Sequence, residues 1–379
     1  MVNIEEYFES TEKLYMWSGF QLFQSSGHIL RNKIRRQLLI FIIISCDSLL
    51  LAGAVFSEDL MDMTESLLIC IIIFNAGNKF INILIKELEM VKTFVQLRKL
   101  VEDQLKVNWK KEILVNSKAR VDWLQKMFLW NFGICVIAAI LNTIVDNIRH
   151  PENLRFPLKM WFPLAPNSGL NLTIGTIYQT ICSCAGIIIF TFGYMTFTGL
   201  IIHISSQIII LSKDMRNISA KANVKQKEML KNFIRHHQII LRLVKSTNNV
   251  LGNVLFLEII LSSMQTCLVA FNCFQRPLND PKQAFFVPFL LCTTILPASI
   301  CWCGQLLMTK SDDLINAIYD CEWYAMPPKI RRDILMIQIQ ASNSMTLNAR
   351  NTFVMAMPTF LKTLQTAYSY LTMLTATDK

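Results

Sequence analysis

Residues 172–211 read LTIGTIYQTICSCAGIIIFTFGYMTFTGLIIHISSQIIIL, a run of 40 residues without one Asp, Glu, Lys or Arg. As a helix it would extend about 60 Å, twice the ~30 Å hydrocarbon core of a bilayer. It is therefore either one helix that projects past the membrane or two spans in tandem, and the choice sets the sidedness of everything that follows. Six other apolar runs flank it, at 37–56, 66–85, 128–145, 250–271, 285–308 and 352–374. With the long run kept whole the chain has seven spans. The segments on the N-terminal side of the membrane (1–36, 86–127, 212–249 and 309–351) then hold 29 Lys and Arg, and those on the other side hold 6. Splitting the run would send the nine basic residues of 212–249 outward, against the excess of cations that cytoplasmic loops carry. The reading is an all-α membrane protein with seven transmembrane helices, the N-terminus cytoplasmic, the C-terminus extracellular, and a fourth helix that overshoots the bilayer.

Composition agrees. Of 379 residues 53% are hydrophobic and 17% charged, against about 25% charged in an ordinary soluble domain. The net charge of +10 is concentrated between the runs. The first 36 residues carry four Glu and no continuous apolar core, so no signal peptide is expected there. The 11 cysteines are scattered, and Cys182-x-Cys184 and Cys301-x-Cys303 lack both the two-residue gap and a second Cys or His pair. Neither a disulfide framework nor a metal site is expected, and no cofactor. The five His form no constellation with a nucleophile or carboxylate inside a span, which argues against an enzyme. A transporter built from inverted repeats is disfavoured because no internal repeat is visible. G-protein-coupled receptors have the opposite orientation, and their Asp-Arg-Tyr and Asn-Pro-x-x-Tyr signatures are absent.

The chain divides into a cytoplasmic N-terminus (1–36), helices 1–4 (37–211), a cytoplasmic segment (212–249), helices 5–6 (250–308), a second cytoplasmic segment (309–350), and a last helix with a short outer tail (351–379). Within 221–246, Leu230, Phe233, Ile234, Ile240, Leu241 and Val244 recur at helical spacing beside a basic face, the pattern of a cytoplasmic helix packing on its neighbours. From 326 to 340 two prolines open a helix whose Ile330, Ile334 and Ile337 form a stripe opposite Arg331, Arg332 and Asp333.

The end of the chain is the most specific part. Tyr319-Asp320-Cys321-Glu322-Trp323-Tyr324, followed by Pro327, Pro328, Ile330, Arg331, Arg332, Asp333 and Leu335, resembles the seventh-helix region of insect odorant receptors. The stretch Ala367-Tyr368-Ser369-Tyr370-Leu371-Thr372-Met373-Leu374 resembles that family's closing motif. Insect gustatory receptors share the layout but not these endings. The short 212–249 segment is similar to that of odour-tuning subunits rather than the longer co-receptor.

The resemblance implies one subunit of a tetrameric, odour-gated, non-selective cation channel assembled with the odorant receptor co-receptor in the dendritic plasma membrane of olfactory neurons. Its partners would be a small volatile ligand, cations and membrane lipid, with no nucleic acid. It also implies a cytoplasmic anchor for subunit contact, to which Trp323, Tyr324, Ile330, Ile334 and Ile337 are assigned. The last span would line the pore, with Lys362 along it and Met373, Ala376 and Thr377 at its narrow outer end. Odorant would bind in the outer half of the bundle, among Ile73, Phe74, Cys135, Ala138, Asn142, Tyr178, Ile181, Cys182, Phe289 and Thr293. Phe74, Asn142 and Tyr178 are the strongest expectations, since aromatics shape a cavity and a buried amide or phenol needs a partner. Asp47, Lys79 and Glu258 are ionisable groups inside spans, where they face a bundle interior or water. Lys79 is expected to snorkel to the inner interface, and Asp47 and Glu258 are open between pairing and gating.

Overall fold

The computed structural model describes residues 3–22, 29–57, 59–151, 154–163, 166, 168–218, 224–277, 282–350 and 352–377. The elements run α1 (Ile4–Trp17), α2 (Ile29–Val55), α3 (Leu60–Ile85), α4 (Glu87–Gln104), α5 (Asn108–Arg149), α6 (Gly169–Arg216), α7 (Val224–Gln275), α8 (Gln283–Asp320), a 3-10 turn at Trp323–Ala325, α9 (Pro328–Ala341), the strands β1 (Asn348–Ala349) and β2 (Phe353–Val354), and α10 (Met357–Thr377). Among the described residues six helices (α2, α3, α5, α6, α7 and α8) are long and apolar enough to cross a membrane. The seventh, α10, has 21 residues, about 31 Å of helix, enough for a hydrocarbon core.

The long apolar run is one helix. α6 has 48 residues, or about 72 Å at 1.5 Å per residue, and it is the post around which α1, α2, α3, α5, α7 and α8 pack. Every residue from 189 to 208 is buried, as an all-round apolar helix requires. The bundle buries even the polar groups of this stretch: Tyr7 of α1 reaches His203 with its hydroxyl 2.8 Å from Nδ1. The amphipathic helix α1 buries Tyr7, Phe8, Leu14 and Tyr15, an element that the sequence reading leaves inside an undivided N-terminal segment.

The segment 212–249 is not a separate unit. Its first residues finish α6, and 224–249 begin the 52-residue α7. The expected stripe packs inward: Leu230, Phe233, Ile240 and Val244 are buried, and Ile234 and Leu241 lean on the same core. The last span begins later than expected. β1 and β2 pair antiparallel, Asn348 opposite Val354 and Ala349 opposite Phe353, and α10 starts at Met357 with Pro358 in the first turn, where its missing N–H costs nothing. Asn248 of α7 pins the hairpin, donating to Thr346 O at 2.8 Å and accepting from Asn348 N at 3.0 Å. Gly304 of α8 lets the chain pass, since a Cβ there would lie 1.9 Å from Met355 O.

Lys79 does not snorkel. It is fully buried, with Nζ 2.6 Å from a Glu258 carboxylate oxygen. Its ammonium lies 3.7 Å from the centre of the Tyr194 ring, and the Tyr194 hydroxyl donates to Glu258. The cause is the neighbour on α6: Gly193 has no side chain, and the Lys79 stem occupies that space, 3.0 Å from where a Cβ would stand. Glu258 is thereby paired, while Asp47 is half-buried with Oδ1 making no hydrogen bond to the described residues.

Candidate ligand site

One turn beyond Lys79 and Tyr194, towards the end of the bundle that the charge count puts outside, the helices separate. α2, α3, α5, α6 and α8 line a partly open cavity of about 130 Å³. Ile43 and Cys46 come from α2, Ile69, Ile72, Ile73 and Ala76 from α3, and Phe132, Cys135, Val136, Ala139 and Ile140 from α5. The face of α6 contributes Gln179, Thr180, Cys182, Ser183, Gly186, Ile187, Ile189 and Phe190, and α8 contributes Phe285 and Phe289. The spacing on α6 is helical, so one face turns to the void over three turns. Phe190 separates the cavity from the buried ion pair, with Lys79 Nζ 5.0 Å from its ring centre. Among the described residues no Asp, Glu, Lys or Arg lines the cavity.

The loop between α5 and α6 closes the top. Pro157 and Leu158 form part of the lining. Leu158 N donates to Gln179 Oε1 at 2.8 Å, and Gln179 Nε2 donates back to Leu158 O at 3.2 Å. Ser66 Oγ donates to Lys159 O at 2.6 Å, and Trp161 N donates to Leu49 O at 3.0 Å. Two glycines make this possible: a Cβ on Gly175 would stand 2.2 Å from the Phe156 ring, and one on Gly53 would stand 2.9 Å from Trp161 N. Above the loop is a second, polar chamber of about 340 Å³, lined in part by Asp62, Glu65, Asn142, Asp146, Lys159, Arg276 and Lys282. Several of its charges are paired: Glu65 with Arg276 at 3.1 Å and with Lys282 at 3.0 Å, and Asp62 with Lys159 at 2.7 Å.

Of the residues assigned to a ligand site from sequence, Ile73, Cys135, Cys182 and Phe289 meet around this cavity. The others do not. Phe74 and Ile181 are 52% and 53% exposed on the outer surface of the bundle. Asn142 lines the polar chamber instead. Tyr178 stands behind the wall, donating to Ser45 Oγ at 3.1 Å and lying against Phe162. Ala138 is half-buried on α5, and Thr293 is buried on α8 with its hydroxyl donating to Leu290 O at 3.1 Å; neither contributes to the lining. Sequence reasoning misses Cys46, Phe132, Thr180, Ser183, Phe285 and the Pro157–Leu158 cap. The signal for Ser183 and Phe285 was there, one position or one turn from assigned residues on the same helices.

At the other functional regions, Ile334 and Ile337 of α9 are buried, Ile330 is half-buried, and Trp323 and Tyr324 are exposed. α10 buries Thr363 and Ala367 on one face and exposes Lys362, Thr366, Ser369, Met373 and Ala376. Thr377 ends the helix, and its side chain lies outside the described residues. Among the described residues no group of His, Cys, Asp or Glu could hold a metal ion.

The architecture is that of an all-α, multi-pass membrane protein. The chain belongs to the 7tm odorant receptor family, whose model matches residues 59–368; it is a family of insect ion channels, not enzymes. The chain is 31% identical to Odorant receptor 45a of Drosophila melanogaster over 146 residues, 38% of each protein. The first curated relatives are thus matched over about two-fifths of their length. Odorant receptor 2a of Drosophila melanogaster is 23% identical over 86% of this chain and 85% of its own. The insect olfactory receptor OR5 from Machilis hrabei, solved in complex with eugenol, superimposes with a TM-score of 0.84 at 12% identity, over 99% of this chain and 98% of that one. A second structure of the same receptor gives a TM-score of 0.80 at 14% identity over 98% of each chain.

Proposed function

We propose that this chain is the odorant-binding subunit of a heteromeric, ligand-gated, non-selective cation channel, working with the odorant receptor co-receptor in the plasma membrane of olfactory neurons. The observation that carries the reading is the capped, uncharged cavity. A volatile ligand is small and apolar, and burying it against aliphatic and aromatic walls is favourable by about 25 cal/mol per Å². Eugenol, the molecule held by the related OR5 receptor, is an aromatic volatile of this kind.

The channel part rests on α10. Lys362, Thr366, Ser369, Met373 and Ala376 follow one another at offsets of four and three, a continuous stripe left exposed in the single chain. Facing the same stripe of other subunits, it would line a pore whose outer end is closed by Met373, Ala376 and Thr377, an apolar constriction that gates by staying dry. Lys362 would sit in the wider inner part. The anchor would be α9 and the inner ends of α6, α7 and α8, with Trp323 and Tyr324 free to meet a neighbour.

The test is electrical. Expressed in oocytes with an insect co-receptor, the chain gives odour-evoked cation current that G-protein inhibitors do not abolish; expressed alone it gives none. Robust odour responses from the chain alone would overturn the tuning-subunit reading.

A further inference from the structure

We infer that the occupant of the capped cavity is a neutral hydrogen-bond donor, an alcohol or phenol of one ring or an equivalent short chain, whose hydroxyl is received by Ser183 Oγ and Thr180 Oγ1. The inference rests on the ligand-binding reading above and concerns the direction of hydrogen bonding inside the same cavity. Size comes first. A cavity of about 130 Å³ compares with the ~150 Å³ apolar cavity that admits benzene, so one ring and a small substituent fill it. Charge comes next: with no Asp, Glu, Lys or Arg among the described lining residues, a carboxylate or ammonium ligand would lose its water and gain no counter-charge from them.

The polar atoms then decide the class. Ser183 and Thr180 lie one turn apart on the cavity face of α6, both half-buried. Each hydroxyl has one proton and two lone pairs, and each proton is already committed: Ser183 Oγ donates to Gln179 O at 2.8 Å and Thr180 Oγ1 to Thr176 O at 2.7 Å. What remains for a ligand is acceptor capacity. Gln179, the one amide side chain among the described lining residues, is tied to Leu158 through its oxygen and one of its two N–H groups, and at 1% exposed it offers the cavity almost no surface from which the second could donate. Cys46, Cys135 and Cys182 are weak donors at best. An ether, ester or ketone, which can only accept, therefore enters without a strong donor to replace water, whereas an alcohol finds two oxygens one turn apart. Turning a wall hydroxyl round to donate would forfeit a bond it already makes.

The test uses isomers, so that size and atom content stay fixed. Benzyl alcohol and ortho-cresol are compared with anisole, and butan-1-ol with its isomer diethyl ether, on oocytes expressing the full chain with an insect co-receptor; a panel of hydrocarbons, esters and ketones is run alongside. The expected result is that each alcohol or phenol is about tenfold more potent than its ether isomer, the loss that follows from one unreplaced hydrogen bond. In the Ser183→Ala, Thr180→Val double variant, with surface labelling and co-receptor-agonist current unchanged, alcohol potency falls by about tenfold while ether potency stays within about twofold. Ethers as potent as their isomers, a preference that survives the double variant, or currents evoked by the panel but by none of the alcohols and phenols would overturn this inference alone. Silence to every compound, with normal surface delivery and co-receptor-agonist current, would overturn the ligand-binding reading and this inference with it.

Discussion

Gly186 and Gly193 lie seven residues apart on α6, two turns along nearly the same face. A Cβ added at Gly186 would touch nothing within 4 Å, whereas one added at Gly193 would stand 3.0 Å from Lys79 Cδ and 3.1 Å from Lys79 Cβ. The first glycine opens on the cavity, and the second closes on the buried ion pair. Two turns of one helix thus separate a hollow half of the bundle from a filled one. In the filled half every contact is a constraint on folding; in the hollow half the helices leave the space into which the proposed odorant would fit.

That difference can be broken at several points. The largest effect belongs to the ion pair. Lys79→Met leaves Glu258 buried without its counter-charge, and such removals cost about 3–5 kcal/mol. Surface delivery and the thermal midpoint of the detergent-solubilised protein should both collapse, and Lys79→Met with Glu258→Met should recover most of the loss. If the single variant is as stable as wild type, the filled half does not depend on its charges.

Gly193→Leu comes next. Overpacking a tight interior costs about 1–3 kcal/mol, read as a lowered thermal midpoint with odorant concentration dependence little changed among the channels that reach the surface. Gly186→Phe should do the reverse. The ring enters the cavity and raises the odorant concentration for half-maximal current by about tenfold, or ~1.4 kcal/mol, with normal surface delivery and normal co-receptor-agonist current. Equal effects of these two variants on stability would erase the distinction between the halves. The smallest change is Gly186→Ala, which should stabilise α6 by roughly 0.5–1 kcal/mol, because glycine in a helix interior loses more chain freedom than alanine. A thermal shift of the same sign with only the bulkiest agonists losing potency would sharpen the comparison.

The sequence made the number of spans and the unbroken α6 legible, because long uncharged runs and the placement of Lys and Arg are set by the bilayer itself. The lining of the cavity was less so. Ile73 and Phe74 are neighbours of similar polarity, yet Ile73 faces the cavity and Phe74 faces away from the bundle. In a soluble helix a change of polarity would mark the two faces. In a membrane both lipid and an apolar cavity accept the same residues, so the period carries no contrast. The cap over the cavity was hidden for a different reason: it depends on Gly175 and Gly53 admitting Phe156 and Trp161, contacts between segments far apart in the chain. Likewise Lys79 reads as a snorkelling lysine until its partner on α7 is known.

The Lys79–Glu258 pair also sets a timetable for synthesis. The two residues are about 180 positions apart, which at ribosomal rates of about 5–20 residues per second is on the order of ten to forty seconds. During that interval α3 must enter the bilayer carrying an unpartnered ammonium, at a cost of about 2.5–3.5 kcal/mol if it sits mid-membrane, offset by the apolar residues around it. Only when α7 emerges does the carboxylate arrive to hold α3 against α6. The nascent chain therefore waits in a half-assembled state whose completion is signalled by one late residue, and a truncation before Glu258 should leave a membrane-inserted fragment that quality control can recognise by its orphan lysine.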